Sequence, residues 1–163
     1  MKKFDNFGVI SMPIYLIIAI IVSTIIIGLF SLSIYNMINQ SKKDIAIKEI
    51  EKIVSEAENM FEYADEDTEL TISVNLPDSL SFVVFGSLPR NATLCPKNFI
   101  LDEKTSNNYY YVMSDGSIKS FSSHVRFCGF EIDNISVLHY GSYNLVLKLE
   151  KVGEHSYVKI YNK

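Results

Sequence analysis

The sequence predicts an α+β protein, in which a long N-terminal transmembrane and amphipathic helix precedes an antiparallel β-sandwich domain. Three observations predict this. Residues 6–41 contain no charged side chain, residues 46–64 place apolar side chains at helical spacing, and residues 70–163 alternate between apolar and polar side chains. The predicted segments are a basic leader or cytoplasmic tail (1–8), a transmembrane helix (9–34), an amphipathic helix extension (35–69) and an extracytoplasmic β domain (70–163).

The transmembrane prediction depends on the length of the apolar run. Ile14 to Ile34 is 21 residues without a charge, and at about 1.5 Å per residue this crosses the roughly 30 Å hydrocarbon layer. A secretory signal peptide would have an apolar run of about 7–15 residues followed by a small-x-small cleavage site. The run here is longer and no such site follows, so the sequence favours a spanning helix.

Small residues four positions apart occur twice within this helix. Ala19 with Ser23, and Thr24 with Gly28, could let another helix approach closely. Such pairs also arise by chance in helices rich in isoleucine. The four residues are a candidate helix-packing face.

The apolar helix is followed by an amphipathic pattern with one stripe. Its members follow 4-3-4-3-4 spacing, and neither proline nor glycine interrupts Leu29 to Thr68. The stripe spans about two and a half heptads, which is short for an independent coiled coil. Packing against the chain's own β domain is therefore the favoured interpretation. The stripe consists of Ala46, Ile50, Ile53, Ala57, Met60 and Ala64.

Eight strands are predicted after residue 69, separated by turn signals such as Pro77-Asp78-Ser79 and Ser114-Asp115-Gly116-Ser117. Short strands at this spacing are typical of an antiparallel sandwich or barrel. The predicted strands are 70–76, 80–85, 109–113, 118–122, 125–131, 134–140, 143–150 and 156–161.

The β domain contains two cysteines and two N-glycosylation sequons. Cys95 and Cys128 could form a disulfide in an oxidising compartment, or could be two small buried apolar side chains. The sequons begin at Asn91 and Asn134. They permit glycosylation on an outer surface without requiring it.

The sequence gives no sign of catalytic or cofactor chemistry, and we predict that the chain is not an enzyme. The net charge of −4 argues against a nucleic-acid partner. The spacings of His124, His139 and His155 do not predict a metal site, and phosphate-binding loops, nucleophile elbows and EF-hand loops are absent from the sequence. No cofactor and no small-molecule substrate are expected.

The N-terminal segment resembles the class III signal peptides of archaeal pilins and archaellins. The resemblance lies in Gly8-Val9-Ile10-Ser11-Met12-Pro13, preceded by Lys2 and Lys3 and followed by the long apolar helix. In that family a prepilin peptidase cuts after the glycine, which implies processing between Gly8 and Val9. The family layout of a long N-terminal helix and a β domain matches the prediction above. The archaellum stator proteins, with an immunoglobulin-like outer domain, share this layout. The resemblance therefore implies that the β-sandwich is immunoglobulin-like or pilin-like.

This chain departs from the family at three positions of the motif, the first being Phe7, which stands before Gly8 where the family has lysine. Val9 stands where the family has glutamine, and Pro13 stands at the position usually held by glutamate. In pilin-like filaments that glutamate pairs with a neighbour's terminal amine inside the apolar bundle. A chain without it fits a filament tip, a minor component or an unpolymerised anchor better than a major subunit.

The sidedness signals conflict. Lys2 and Lys3 precede the span and four lysines follow it, which by the positive-inside rule favours a cytoplasmic domain. The paired cysteines and the class III resemblance favour a single-pass protein of the cell membrane with an outer domain, and we adopt that prediction. The resemblance implies a pilin-like surface protein, either a minor filament subunit or a membrane-anchored adapter. Its partners would be lipid, pilin-like subunits contacted through the N-terminal helix, and the peptidase. The alternative is a membrane-anchored binding module for a surface layer, glycan or receptor, without filaments.

Overall fold

A computed structural model of the chain describes residues 7–89, 96 and 99–163, with side chains from Ile14 onward. Over these residues it confirms the α+β class: one long apolar N-terminal helix is followed by eight strands in two sheets. The chain divides into two compact units, Met1–Gln40 and Ser41–Lys163. The elements are α1 (Phe7–Tyr63), β1 (Glu69–Leu76), β2 (Leu80–Phe85), β3 (Asn108–Met113), β4 (Ile118–Ser122), β5 (Arg126–Cys128), β6 (Ser136–His139), β7 (Gly141–Val152) and β8 (His155–Asn162).

The strands form two four-stranded sheets. Sheet A has the order β1-β7-β8-β5, and sheet B has the order β4-β3-β2-β6. The prediction of a purely antiparallel arrangement was wrong at one pair, because β5 runs parallel to β8. β5 does not return from β4 as a hairpin within one sheet. The chain crosses from sheet B to sheet A between these strands, so the crossover sets the direction of β5.

The hairpin turns form where the sequence placed them. In the β3–β4 turn Gly116 has φ +83° and its amide donates to the Met113 carbonyl at 2.9 Å. A positive φ costs glycine little, which explains the Asp-Gly pair at this turn. In the β1–β2 turn the amide of Leu80 donates to the carbonyl of Pro77 at 3.0 Å.

The main apolar core contains side chains from α1 and from both sheets. The stripe residues Ala46, Ile53 and Ala57 are completely buried, as are Phe85 of β2 and Leu147 of β7. The prediction that the stripe packs against the β domain is confirmed. Since each fully buried aliphatic or aromatic side chain contributes about 1.5–3 kcal/mol, the helix is a major part of this core.

A second, smaller core covers the opposite face of sheet B. It contains Phe82 and Val84 of β2 and Tyr110 and Val112 of β3, with Ile135 from the segment before β6. Both faces of β2 and β3 are therefore buried. This explains why Leu80–Phe85 and Asn108–Met113 read as nearly continuous apolar runs and not as clean alternation.

Candidate functional site: the exposed apolar helix and the docked helix

The first candidate surface is the part of α1 that lies in unit Met1–Gln40. Every side chain from residue 14 to residue 38 is exposed, including Leu16 at 62% and Phe30 at 66%. Within the residues that the structure describes, one helix is long and apolar enough to cross a membrane, judged by its length and composition. So large an exposed apolar surface is typical of a segment that contacts lipid or another apolar partner.

The candidate packing face on this helix is open. Ala19, Ser23, Thr24 and Gly28 are all exposed, and a Cβ added at Gly28 would meet nothing within 4 Å. The Thr24 hydroxyl donates to the Ile20 carbonyl at 2.8 Å, one turn earlier in the helix. This internal hydrogen bond leaves the face without an unpaired threonine donor, which suits an apolar environment.

The predicted processing site, Gly8 and Val9, lies in the first turns of α1. The side chains there fall outside the described residues. The cleavage therefore stays a prediction.

The second candidate surface is the docked helix, which we define as residues 41–63 of α1. Polar contacts hold both flanks of its apolar stripe. On one flank Lys52 Nζ donates to the Ser73 carbonyl at 2.7 Å, and the Asn75 amide donates to Glu49 Oε2 at 3.3 Å. Ser73 and Asn75 belong to β1, an edge strand of sheet A. The helix thereby satisfies backbone groups that an exposed strand edge would leave open to another chain.

The opposite flank of the docked helix contacts the β3–β4 hairpin and the segment after it. Lys43 forms a hydrogen-bonded ion pair with Asp115 in the turn, and the Ser123 hydroxyl donates to Glu58 Oε1 at 2.7 Å. At the start of the docked helix Lys42 pairs with Asp78 at 2.9 Å. The helix therefore lies between β1 and the β3–β4 hairpin, with its stripe in the core.

A histidine lies at the C-terminal end of the docked helix. His124 Nδ1 is 3.7 Å from Glu58 Oε1, Nε2 is 3.3 Å from Glu62 Oε1, and the ring meets Phe61 edge to face. A neutral imidazole can donate one hydrogen bond, whereas an imidazolium can donate to both carboxylates. Among the residues that the structure describes, no group of three or more His, Cys, Asp or Glu side chains could hold a metal ion.

The ion pair at the β3–β4 turn gives a pH prediction. The hydrogen bond from Lys43, with further bonds from Ser117, lowers the pKa of Asp115 well below its ordinary value of 3.8. A lowered native pKa stabilises the fold above the unfolded pKa, and this contribution is lost as the pH falls through the native value. We expect the Asp115→Asn variant to unfold at a lower temperature than the unmodified chain at pH 7. The difference should shrink below about pH 4, measured by thermal unfolding in detergent. A difference that is constant from pH 7 to pH 2 would contradict the ion pair as its source.

Of the two cysteines in the β domain, only Cys128 lies within the described residues. Cys128 is completely buried on β5, and this burial raises the pKa of its thiol to about 12. Cys95 lies outside the described residues, so the disulfide stays a prediction. A buried thiol with a raised pKa reacts slowly with thiol reagents, since the thiolate is the reactive form.

Thiol counting distinguishes the two predictions for the cysteines. We expect Cys128 to be unmodified by iodoacetamide at pH 8 in the folded protein. In denaturant without reductant, two modified cysteines per chain would show two free thiols, and none would show the Cys95–Cys128 disulfide. Mass spectrometry of the modified peptides makes the measurement. Rapid modification of Cys128 in the folded protein would contradict its burial.

Two side chains of the second sequon, Asn134 and Ser136, form hydrogen bonds within the β domain. The Asn134 side-chain amide donates to Glu131 Oε2 at 2.9 Å, and the Ser136 hydroxyl, which is buried, donates to the Ile160 carbonyl at 2.9 Å. A glycan on Asn134 would require its amide to leave Glu131. Asn91 falls outside the described residues.

The chain matches no family model, no curated protein and no solved structure. The local pattern did not reveal the contacts at the two flanks of the docked helix, because Lys43 and Asp115 are 72 positions apart. The sequence indicated only that charged side chains of both signs flank the stripe along residues 42–62.

Proposed function

We propose that this chain is a pilin-like cell-surface protein, a minor filament subunit or a membrane-anchored adapter, with its β domain outside the membrane. One observation carries the proposal. Within α1, residues 14–38 expose every side chain, whereas the stripe between Ala46 and Met60 is built into the core of the β domain. A single helix thus offers an apolar surface to lipid or neighbouring helices and also forms part of the domain that it anchors.

The chemistry of the exposed helix supports a membrane location. It contains no charged residue, and the hydroxyls of Thr24 and Ser31 donate to carbonyls one turn earlier at 2.8 and 2.9 Å. In hydrocarbon an unsatisfied polar group costs several kcal/mol, so internal pairing is favourable there.

The position of the docked helix favours a pilin-like domain over an immunoglobulin-like sandwich. An immunoglobulin-like domain fills its core from the facing surfaces of two sheets. Here Ile50, Ile53 and Met60 of α1 share the main core with both sheets. The domain would therefore lose part of its core without the helix, as expected for a domain that folds around its own anchoring helix.

The departures from the family motif support a minor or adapter role. Pro13 replaces the glutamate that pairs with a neighbour's terminal amine in pilin-like filaments. Without that carboxylate a subunit has one fewer specific contact for joining a growing bundle. The class III resemblance also supports the outer location of the β domain.

N-terminal sequencing of the membrane-purified chain, combined with protease protection on intact cells, tests the proposal. We expect the mature chain to begin at Val9 and the β domain to be digested from outside the cell. Co-purification with filaments would support the subunit role, and a processed monomer would support the adapter role. An intact N-terminus together with a protected β domain would overturn the proposal.

A second candidate function is a membrane-anchored binding module without filaments. It is favoured by three exposed apolar side chains in loops of the β domain: Phe99 at 48%, Ile100 at 68% and Phe130 at 70%. Ile100 bridges to Asn134, whose carbonyl accepts from the Gly129 amide at 2.7 Å, so these loops lie side by side. An unprocessed monomer whose capture of cell-wall material is lost in Phe130→Ala, and kept in Val152→Ala, would favour this candidate.

A further inference from the structure

Two tyrosines lie near the ends of the run Ile14–Ile34: Tyr15 is its second residue, and Tyr35 directly follows its last. Tyr15 is 70% exposed and Tyr35 is 64% exposed. They are twenty residues apart, which at 1.5 Å per residue is about 30 Å along the helix axis. This separation equals the thickness of the hydrocarbon layer of a typical bilayer, about 30 Å.

The residues between the tyrosines suit hydrocarbon, and polar side chains become frequent beyond Tyr35. From residue 16 to residue 34 the only polar side chains are hydroxyls, at Ser23, Thr24, Ser31 and Ser33. The first carboxamides of the helix, at Asn36, Asn39 and Gln40, begin directly after Tyr35. The change from apolar to polar composition therefore coincides with the second tyrosine.

The tyrosines do not share a helix face. At about 100° per residue, twenty residues turn the helix so that Tyr15 and Tyr35 point to roughly opposite sides. A contact with one neighbouring helix would require both side chains on one side. An interface between membrane and water surrounds the helix, and it accepts a tyrosine in any direction.

We propose that Tyr15 and Tyr35 are interfacial anchors that fix the depth of α1 in a lipid bilayer. The phenol rings lie at the two headgroup boundaries, and residues 16–34 cross the hydrocarbon. This assignment rests on the proposed membrane anchoring and adds to it the register of the helix. The partner of the surface between the tyrosines is lipid, not neighbouring copies of the chain.

The absence of tryptophan from the chain makes a depth measurement direct. Three full-length variants each introduce a single tryptophan: Tyr15→Trp, Tyr35→Trp and, midway along the run, Ile25→Trp. Each is reconstituted in phosphatidylcholine vesicles whose acyl chains carry bromine either near the carbonyl end or near the middle of the bilayer. We expect Tyr15→Trp and Tyr35→Trp to lose more fluorescence to the shallow bromines, and Ile25→Trp to lose more to the deep bromines.

Vesicle flotation distinguishes failure of the depth assignment from failure of the proposed membrane anchoring. If the chain floats with the vesicles but Tyr35→Trp is quenched most by the deep bromines, or by neither lipid, the depth assignment is overturned and the membrane anchor stands. Quenching at none of the three positions in a floating protein would show that neighbouring copies cover the helix, which overturns lipid as the partner. If the chain does not float, both the assignment and the proposed anchoring fail.

Discussion

Replacing Ile53 with alanine is expected to destabilise the β domain by about 2–5 kcal/mol. Ile53 is completely buried in the main core, and removing an aliphatic side chain there loses its transfer free energy and leaves a cavity. Since small domains unfold with free energies of about 5–15 kcal/mol, the variant should lose a large part of its stability. The measurement is urea unfolding of the full chain in mild detergent, followed by the near-ultraviolet circular dichroism of the tyrosines.

The matched control for this prediction lies on the same helix. Ile45 is 46% exposed, and its replacement by alanine should change the free energy of unfolding by about 0.5 kcal/mol or less. Similar losses in Ile53→Ala and Ile45→Ala would show that the docked helix contributes no specific packing. The proposed role of the helix as part of its own domain would then be wrong.

Two aspartates in the middle of the exposed apolar helix are expected to remove the chain from the membrane. Ile21 and Ile25 lie within the run from Ile14 to Ile34, which contains fourteen Ile, Leu, Val and Phe side chains. Each favours insertion by about 0.3–0.6 kcal/mol, whereas an aspartate at the helix centre opposes it by about 2.5–3.5 kcal/mol. The double variant Ile21→Asp with Ile25→Asp should therefore bring the balance near zero. Alkaline carbonate extraction should release much of it from membranes.

The control for the membrane prediction adds the same charge near the end of the helix. Asn36→Asp with Asn39→Asp places two aspartates beyond the hydrocarbon, where they cost little, and this variant should stay in the membrane fraction. Equal release of both double variants would show that the central residues are not in lipid. Retention of both would indicate that the helix is shielded by protein partners.

The elements fixed by local pattern were predictable from the sequence. The apolar residues from Ala46 to Met60 recur at helical spacing, which predicts a helix with one buried face. The Asp115-Gly116 pair predicts a tight turn. The eight predicted strands correspond in order to β1–β8. Strands β5 and β6 are shorter than predicted because Gly129 packs closely against the Asn134 and Ile135 backbones, where the chain leaves both sheets.

The features that depend on distant parts of the chain were not predictable. The parallel pairing of β5 with β8 follows from a crossover between sheets, and neither strand carries a local sign of its partner. The contacts of Lys52 with Ser73 and of Glu49 with Asn75 depend on the helix lying beside the edge of β1. Lysines and glutamates at these positions read as an ordinary solvated helix face. Their targets are backbone atoms, which no residue pattern identifies.

The pairing of β1 with β7 has a consequence for the order in which the domain forms. The register joins Glu69 to Lys148 and Leu76 to Gly141, so the first strand has no sheet partner until β7 has been synthesised, 65 to 79 residues later. The apolar stripe of α1 shares its core with Leu145 and Leu147 of β7, so part of its cover is made equally late. Such high contact order slows folding, because long loops must close before their contacts form. We expect the nascent domain to stay unfolded, and to need protection from chaperones, until the β7–β8 hairpin has been synthesised.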